Sequence, residues 1–317
     1  MVESARQKGS AAGTGQRPVN KPNFFILGAA KSGTTSLYAY LRLHPDVFMS
    51  PLKEPTFFCH PFQVVSSPIM YFELFGEAAG ARVIGEASHA YLSNPSTPKV
   101  LKLLVPDAKF LVILRNPADR AFSLYHHMRR SGFEWIGSFE QALSAEEKRV
   151  RSRRFKMRCP QYYYNFLYFR SGLYGEQIER YLNLFDRQQF HFLMLDQLLK
   201  DPTSILTGVL AFLNLDANFS PPFEIHNKGD VTARSALVQY LCSTRIPCPR
   251  TIRKWGDTVL NKLNMKVVSP LPRATKKALI ASYGQDLVKL FQLAGVQFPG
   301  AIVDTAGSAE SSPFPRN

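Results

Sequence analysis

A lysine set among small residues is the first group in this sequence placed to do chemistry. The stretch Gly28-Ala29-Ala30-Lys31-Ser32-Gly33-Thr34-Thr35-Ser36 follows the apolar run Phe24–Leu27, and Leu37, Tyr40, Leu41 and Leu43 come next at helical spacing. A strand, a small-residue loop and a helix in that order make an anion cradle. Backbone N–H groups and the helix N-terminus favour negative charge there, and Lys31 adds a full positive one. A Walker A loop carries its lysine after the second glycine. Here Lys31 precedes Gly33, and Thr34 and Thr35 follow it. The cradle is kept and the triphosphate grip is changed. Ser32, Gly33, Thr34, Thr35 and Ser36 join Lys31 as candidate phosphate-binding residues.

A second cation sits at the end of another apolar run. Residues 109–114 read as a buried strand, and Arg115-Asn116-Pro117 leads into a helix that carries Ser123 one to two turns on. Proline suits a first helical turn. Ligands in open α/β sheets gather at the carboxyl ends of strands, where an arginine offers a planar fork and a serine a hydroxyl. Two residues are candidate proton acceptors. Glu54 is the first, with a salt bridge to neighbouring Lys53 as its plainer role. His89 is the second, because histidine is the side chain suited to proton transfer near neutral pH. His126 and His127 are expected to serve the helix alone.

The elements that position these groups alternate. Strands are expected near 24–28, 46–49, 82–86, 109–114 and 189–195. Helices are expected near 34–43, 68–75, 97–104, 118–130, 138–146, 173–186, 202–213, 232–242 and 272–293. Alternation of this kind predicts an α/β fold, a central mostly parallel sheet of about five strands flanked by helices. Residues 1–22 read as a disordered basic tail, 23–300 as a single domain and 301–317 as a flexible tail.

Lys31-Ser32-Gly33-Thr34-Thr35 resembles the 5′-phosphosulfate loop of sulfotransferases that use 3′-phosphoadenosine 5′-phosphosulfate (PAPS), and the Arg115–Ser123 stretch resembles their 3′-phosphate motif. The pattern is similar to the heparan sulfate sulfotransferases (N- and 3-O-) and their soluble bacterial relatives. The resemblance implies a P-loop-NTPase-like sulfotransferase fold. It implies PAPS as donor, 3′,5′-adenosine bisphosphate as product, and no metal. Lys53-Glu54-Pro55-Thr56-Phe57-Phe58 is similar to the segment whose glutamate is the family's base. Gly85-Glu86-Ala87-Ser88-His89 looks like the glutamate-lysine-serine segment at the acceptor site, with Ala87 where many relatives have lysine. Ser171 to Gly175, with Tyr174 as a donor-site residue, resembles the next unit. His226-Asn227-Lys228-Gly229 resembles the late loop over the 3′-phosphate, which makes Asn227, Lys228 and Gly229 donor-binding candidates.

The expected activity is in-line sulfuryl transfer from PAPS to a hydroxyl or amine of a carbohydrate or glycoconjugate, with a carboxylate base. Transfer to a small-molecule or lipid acceptor with a histidine base is the alternative. A nucleotide-dependent kinase needs a lysine after Gly33 and magnesium ligands, and neither is evident. A polyanion-binding protein would not need both nucleotide motifs in order.

Bulk properties agree. The 317 residues include 39 Lys+Arg against 24 Asp+Glu, a net charge of +15, which favours anionic partners. Nucleic acid is not an expected partner. Lys148 to Arg158 holds seven basic residues in eleven, followed by Gln161-Tyr162-Tyr163-Tyr164. That mixture suits an anionic sugar chain or stacked rings, with a solvated helix face as the plainer reading. No apolar run reaches membrane-span length and no signal peptide is visible, so a soluble, cytoplasmic, bacterial enzyme is expected. The cysteines, Cys59, Cys159, Cys242 and Cys248, form no C-x-x-C pair and are expected to be free thiols.

Overall fold

The computed structural model describes residues 20–159, 161–219, 221–223, 231–235 and 263–298. Its centre is a five-stranded sheet. The strands are β1 (Phe24–Gly28), β2 (Val47–Met49), β3 (Val83–Ala87), β4 (Lys109–Leu114) and β5 (Phe190–Met194). They lie in the order β2-β3-β1-β4-β5, and every pairing is parallel. This is the expected α/β sheet, with strand bounds shifted by one residue at most.

Parallel sheets are covered on both faces, which explains why these strands read as unbroken apolar runs. In β1, Phe25 and Leu27 enter one core and Phe24 and Ile26 the other. In β4, Phe110, Val112 and Leu114 share the first core, and Leu111 and Ile113 the second. The second core is closed by helices α1 (Thr34–Leu41), α10 (Leu195–Lys200) and α11 (Pro202–Phe212) through Leu37, Leu41, Leu198, Leu206 and Leu210. The first is larger and aromatic. It takes residues from α2 (Pro68–Glu73), α3 (Ala90–Ser93), α4 (Thr97–Leu104), α5 (Pro117–Arg130) and α6 (Phe139–Ser144). It also takes them from α9 (Tyr174–Leu182), α12 (Arg273–Ser282) and α13 (Gly284–Ala294).

Several expectations are corrected. The last helix is two helices that part at Tyr283. The Tyr283 ring stacks on Phe169 at 4.4 Å and its hydroxyl donates to the Phe169 carbonyl at 3.0 Å. Gly284, a weak helix former, comes next. Residues 232 and 233, expected at the start of a helix, lie instead in strand β6 (Val231–Ala233), antiparallel to β7 (Met265–Val267). The rest of that expected helix, 236–242, lies outside the described residues. Two short helices, α7 (Glu146–Arg151) and α8 (Arg153–Arg158), carry the basic run.

Candidate active site

The loops after β1, β2, β3 and β4 all open at the carboxyl edge of the sheet, on either side of its central strand. Consecutive strands leave β1 in opposite directions, so this is the crevice where such sheets bind ligands.

The cradle between β1 and α1 is tightly built. Lys31 takes a left-handed backbone conformation, φ +65°. Gly33 does the same at φ +86°, and a Cβ there would sit 2.7 Å from Leu195 Cδ1. Gly33 caps α1 with no side-chain hydrogen bond to its first turn. The Ser32 hydroxyl is buried with no hydrogen-bond partner. Arg115, at the end of β4, reaches back and donates to the Lys31 carbonyl at 3.4 Å. The two motifs, 84 residues apart in sequence, therefore meet.

Four cations converge here, Lys31, Lys53, Arg115 and Arg130, and of these Lys53 is paired with Glu54. The Lys31 amine is brought down to about 8, first by burial and then by the positive charges of Arg130, Arg115 and Lys53. His127 is brought down to about 3, by burial first and then by Lys31, Arg130 and His89. Arg130 donates to His127 Nδ1 at 3.4 Å. Sequence reasoning passed over Arg130 and treated His127 as structural. The signal lies in the spacing: Ser123, His127 and Arg130 are four and three residues apart, which puts them on one face of α5. An orphaned hydroxyl, a helix N-terminus and clustered cations that depress a lysine fit a multiply charged phosphate or sulfate ligand.

Tyr174 sits at the start of α9, fully buried, and its hydroxyl donates to the Arg115 carbonyl at 3.0 Å. Its place is behind Arg115, as a support. Asn227, Lys228 and Gly229 lie outside the described residues.

Across from the cradle lie the two candidate bases, in contact. Glu54 Oε1 accepts from Lys53 Nζ at 2.5 Å. Its Oε2 accepts from the His89 backbone N–H at 2.8 Å and lies 2.8 Å from His89 Nδ1. Burial pushes the Glu54 carboxyl up, but His89 and Lys53 outweigh it and hold it down at about 2. Beside an ionised carboxylate Nδ1 carries a proton, and in the neutral imidazole Nε2 is then the acceptor. Glu54 and Thr56 both have left-handed backbones, φ +63° and +50°. The surrounding structure holds this strained turn. Glu54 N–H donates to Ala87 O at 3.0 Å, Thr56 N–H to Ser88 Oγ at 3.1 Å and Phe58 N–H to the Tyr91 hydroxyl at 3.2 Å. Behind them, buried Glu86 accepts from Tyr71, Ser88 and Tyr91 at 2.6–2.8 Å.

Residues 21–230 match the sulfotransferase domain family. The chain belongs to the sulfotransferase family. This sulfotransferase is 29% identical over 202 residues to a bifunctional heparan sulfate N-deacetylase/N-sulfotransferase of Caenorhabditis elegans, a match that covers 61% of the chain and 22% of that protein. It is 30% identical over 205 residues to the human bifunctional heparan sulfate N-deacetylase/N-sulfotransferase 3, again over 61% of the chain and 22% of the relative. The chain thus spans about a fifth of these relatives' length. The crystal structure of a sulfotransferase from Alicyclobacillus acidocaldarius superposes with a TM-score of 0.69 at 29% identity, over 89% of this chain and 99% of that one. No described helix is long and apolar enough to cross a membrane.

Proposed function

We propose that this sulfotransferase moves a sulfuryl group from PAPS to a hydroxyl or amine of a carbohydrate or glycoconjugate, with the Glu54–His89 pair handling the acceptor's proton. The observation that carries the reading is the cluster of Lys31, Lys53, Arg115 and Arg130 around the cradle, facing a carboxylate–imidazole pair. When bound, PAPS supplies an activated sulfuryl group on a phosphate leaving group. Lys31, Ser32, Gly33, Thr34, Thr35 and Ser36 hold the 5′-phosphate side. Lys31 neutralises charge that develops at the leaving oxygen. Arg115 and Ser123 hold the 3′-phosphate, and Tyr174 fixes Arg115 from behind. Asn227, Lys228 and Gly229 complete that grip by resemblance. Glu54 fixes the His89 tautomer, and His89 Nε2 takes the acceptor's proton. A base role for Glu54 itself, which the resemblance implies, is less favoured because both of its oxygens are already engaged. The carbohydrate acceptor draws support from the heparan sulfate named for the relatives.

The test is transfer of labelled sulfuryl from PAPS to a panel of sugars, phenols and lipids. Sugars should be labelled, and the His89→Ala variant should lose turnover while it still binds 3′,5′-adenosine bisphosphate. Labelling of phenols or lipids alone would replace the acceptor class. Full turnover in His89→Ala with loss in Glu54→Gln would return the base role to Glu54.

A further inference from the structure

Glu86 lies fully buried in β3, behind the Glu54–His89 pair. A buried carboxyl is costly unless it is hydrogen-bonded, and three hydroxyls meet this one. Its Oε1 accepts from the Tyr71 hydroxyl at 2.6 Å and the Tyr91 hydroxyl at 2.8 Å. Its Oε2 accepts from the Ser88 hydroxyl at 2.7 Å. Burial raises the carboxyl to about 7, and the three hydroxyls act against that rise. Above that pH it is a carboxylate, which can only accept.

An acceptor-only centre fixes the direction of all three bonds. Each hydroxyl points its proton at Glu86 and keeps its lone pairs for other donors. Two of them use those lone pairs on the turn that carries Glu54. Ser88 Oγ accepts from the Thr56 N–H at 3.1 Å, and the Tyr91 hydroxyl accepts from the Phe58 N–H at 3.2 Å. The third acts through its ring, since Tyr71 stacks on Phe57 at 4.2 Å with the planes 11° apart. Glu86 thus reaches Thr56, Phe57 and Phe58, each by a different side chain.

That turn needs holding. Glu54 and Thr56 have left-handed backbones, which side-chain-bearing residues keep only under constraint. Three N–H groups, at 54, 56 and 58, are anchored on residues 87, 88 and 91. The first anchor is backbone to backbone. The other two depend on hydroxyls that Glu86 orients. In return, the His89 N–H and Nδ1 meet Glu54 Oε2 at 2.8 Å each.

We propose that Glu86 is a positioning residue for proton transfer: through Ser88, Tyr91 and Tyr71 it holds the 54–58 turn so that the Glu54 carboxylate meets His89. This role rests on the transfer reading above and adds the group that sets the geometry of its base pair. A glutamine at 86 keeps the shape but brings N–H donors. At least one hydroxyl then faces a donor and its own proton loses its acceptor.

The test uses the full chain and two readouts. The first is the imidazole signal of His89 in protein labelled with ¹⁵N-histidine, assigned by its loss in His89→Ala and recorded at about pH 8.5, where Glu86 is ionised. The unsubstituted protein should show the Nδ1–H tautomer, and Glu86→Gln should show both tautomers. The second is sulfuryl transfer from PAPS to a glucosamine oligosaccharide. Glu86→Gln should lower kcat roughly 10–100-fold and leave affinity for 3′,5′-adenosine bisphosphate unchanged. In a His89→Ala background it should lower kcat no further. Ser88→Ala removes a single arm and should give the same changes in smaller measure, which keeps the test open if Glu86→Gln does not fold. An unchanged His89 tautomer, an equal further loss in the His89→Ala background, or a parallel loss of bisphosphate affinity would overturn the role. Absence of transfer in the unsubstituted protein would instead count against the transfer reading, while the His89 signal still reports on Glu86.

Discussion

Lys31 keeps its charge against burial and three neighbouring cations, which together bring it down to about 8. A bound anion removes that penalty, so donor binding takes up a proton at alkaline pH. Affinity for 3′,5′-adenosine bisphosphate should stay level below pH 7 and fall as pH rises past about 8. Lys31→Met should bind roughly a hundredfold more weakly and lose that pH dependence, as calorimetry across pH 6–10 would show. At the base pair, Glu54→Gln and His89→Ala should each lower kcat by roughly 10²–10⁴. The double variant should be no worse than the poorer single one, because residues acting as one unit are not additive. The places of Lys31 and Arg115 after β1 and β4, where they meet, were legible in sequence because each follows an apolar strand. The Glu54–His89 contact was not, because it depends on β2 and β3 lying side by side in parallel register. His127 and Arg130 needed the face of α5 marked by Ser123.

At the scale of elements, α9 connects the last helix to the site. Asp286 in α13 accepts from the Gly175 and Glu176 N–H groups at 2.9 Å each, which caps the first turn of α9. The helices are so close that a Cβ on Gly175 would meet the Asp286 carbonyl. Gly175→Ala should therefore cost about 1–3 kcal/mol in urea unfolding. It should also weaken bisphosphate binding, because neighbouring Tyr174 would shift its support for Arg115. The helix expected over 272–293 was read as one because its apolar spacing runs through Tyr283. Nothing local to the sequence reveals that this tyrosine bonds to Phe169. β6 and β7 escaped notice because three residues are too few to show a period of two.

Across the whole molecule, buried acids and buried histidines pull stability in opposite directions. Burial raises Glu86 and Glu146 from 4.5 to about 7 and Asp286 from 3.8 to about 6. The native state keeps those protons longer than the unfolded chain does, so stability falls as pH rises from about 4 to 7. Burial first, with nearby cations, lowers His126 to about 4 and His127 to about 3 from 6.5. Glu54 lies near 2. These groups remove stability as pH falls, below 6.5 for the histidines and below 4.5 for Glu54. The trends offset each other between about 4.5 and 6.5, and only losses remain at lower pH. Calorimetric melting should give a midpoint that is level at pH 7–8, changes little down to about 5 and drops steeply below 4.5. The sheet and its cradle were readable because alternating strands and helices leave few topologies. The cleft between Phe62, Asn94 and Tyr163 was not, since three separate segments build it.

The central claim is that the cradle and Arg115 hold one adenosine bisphosphate. Calorimetric titration with 3′,5′-adenosine bisphosphate, and separately with ATP and magnesium, tests it most directly. Binding of the bisphosphate, weakened roughly a hundredfold in Arg115→Ala with the melting midpoint unchanged, is the predicted result. Binding of ATP with magnesium alone, or bisphosphate affinity indifferent to Arg115→Ala, would contradict it.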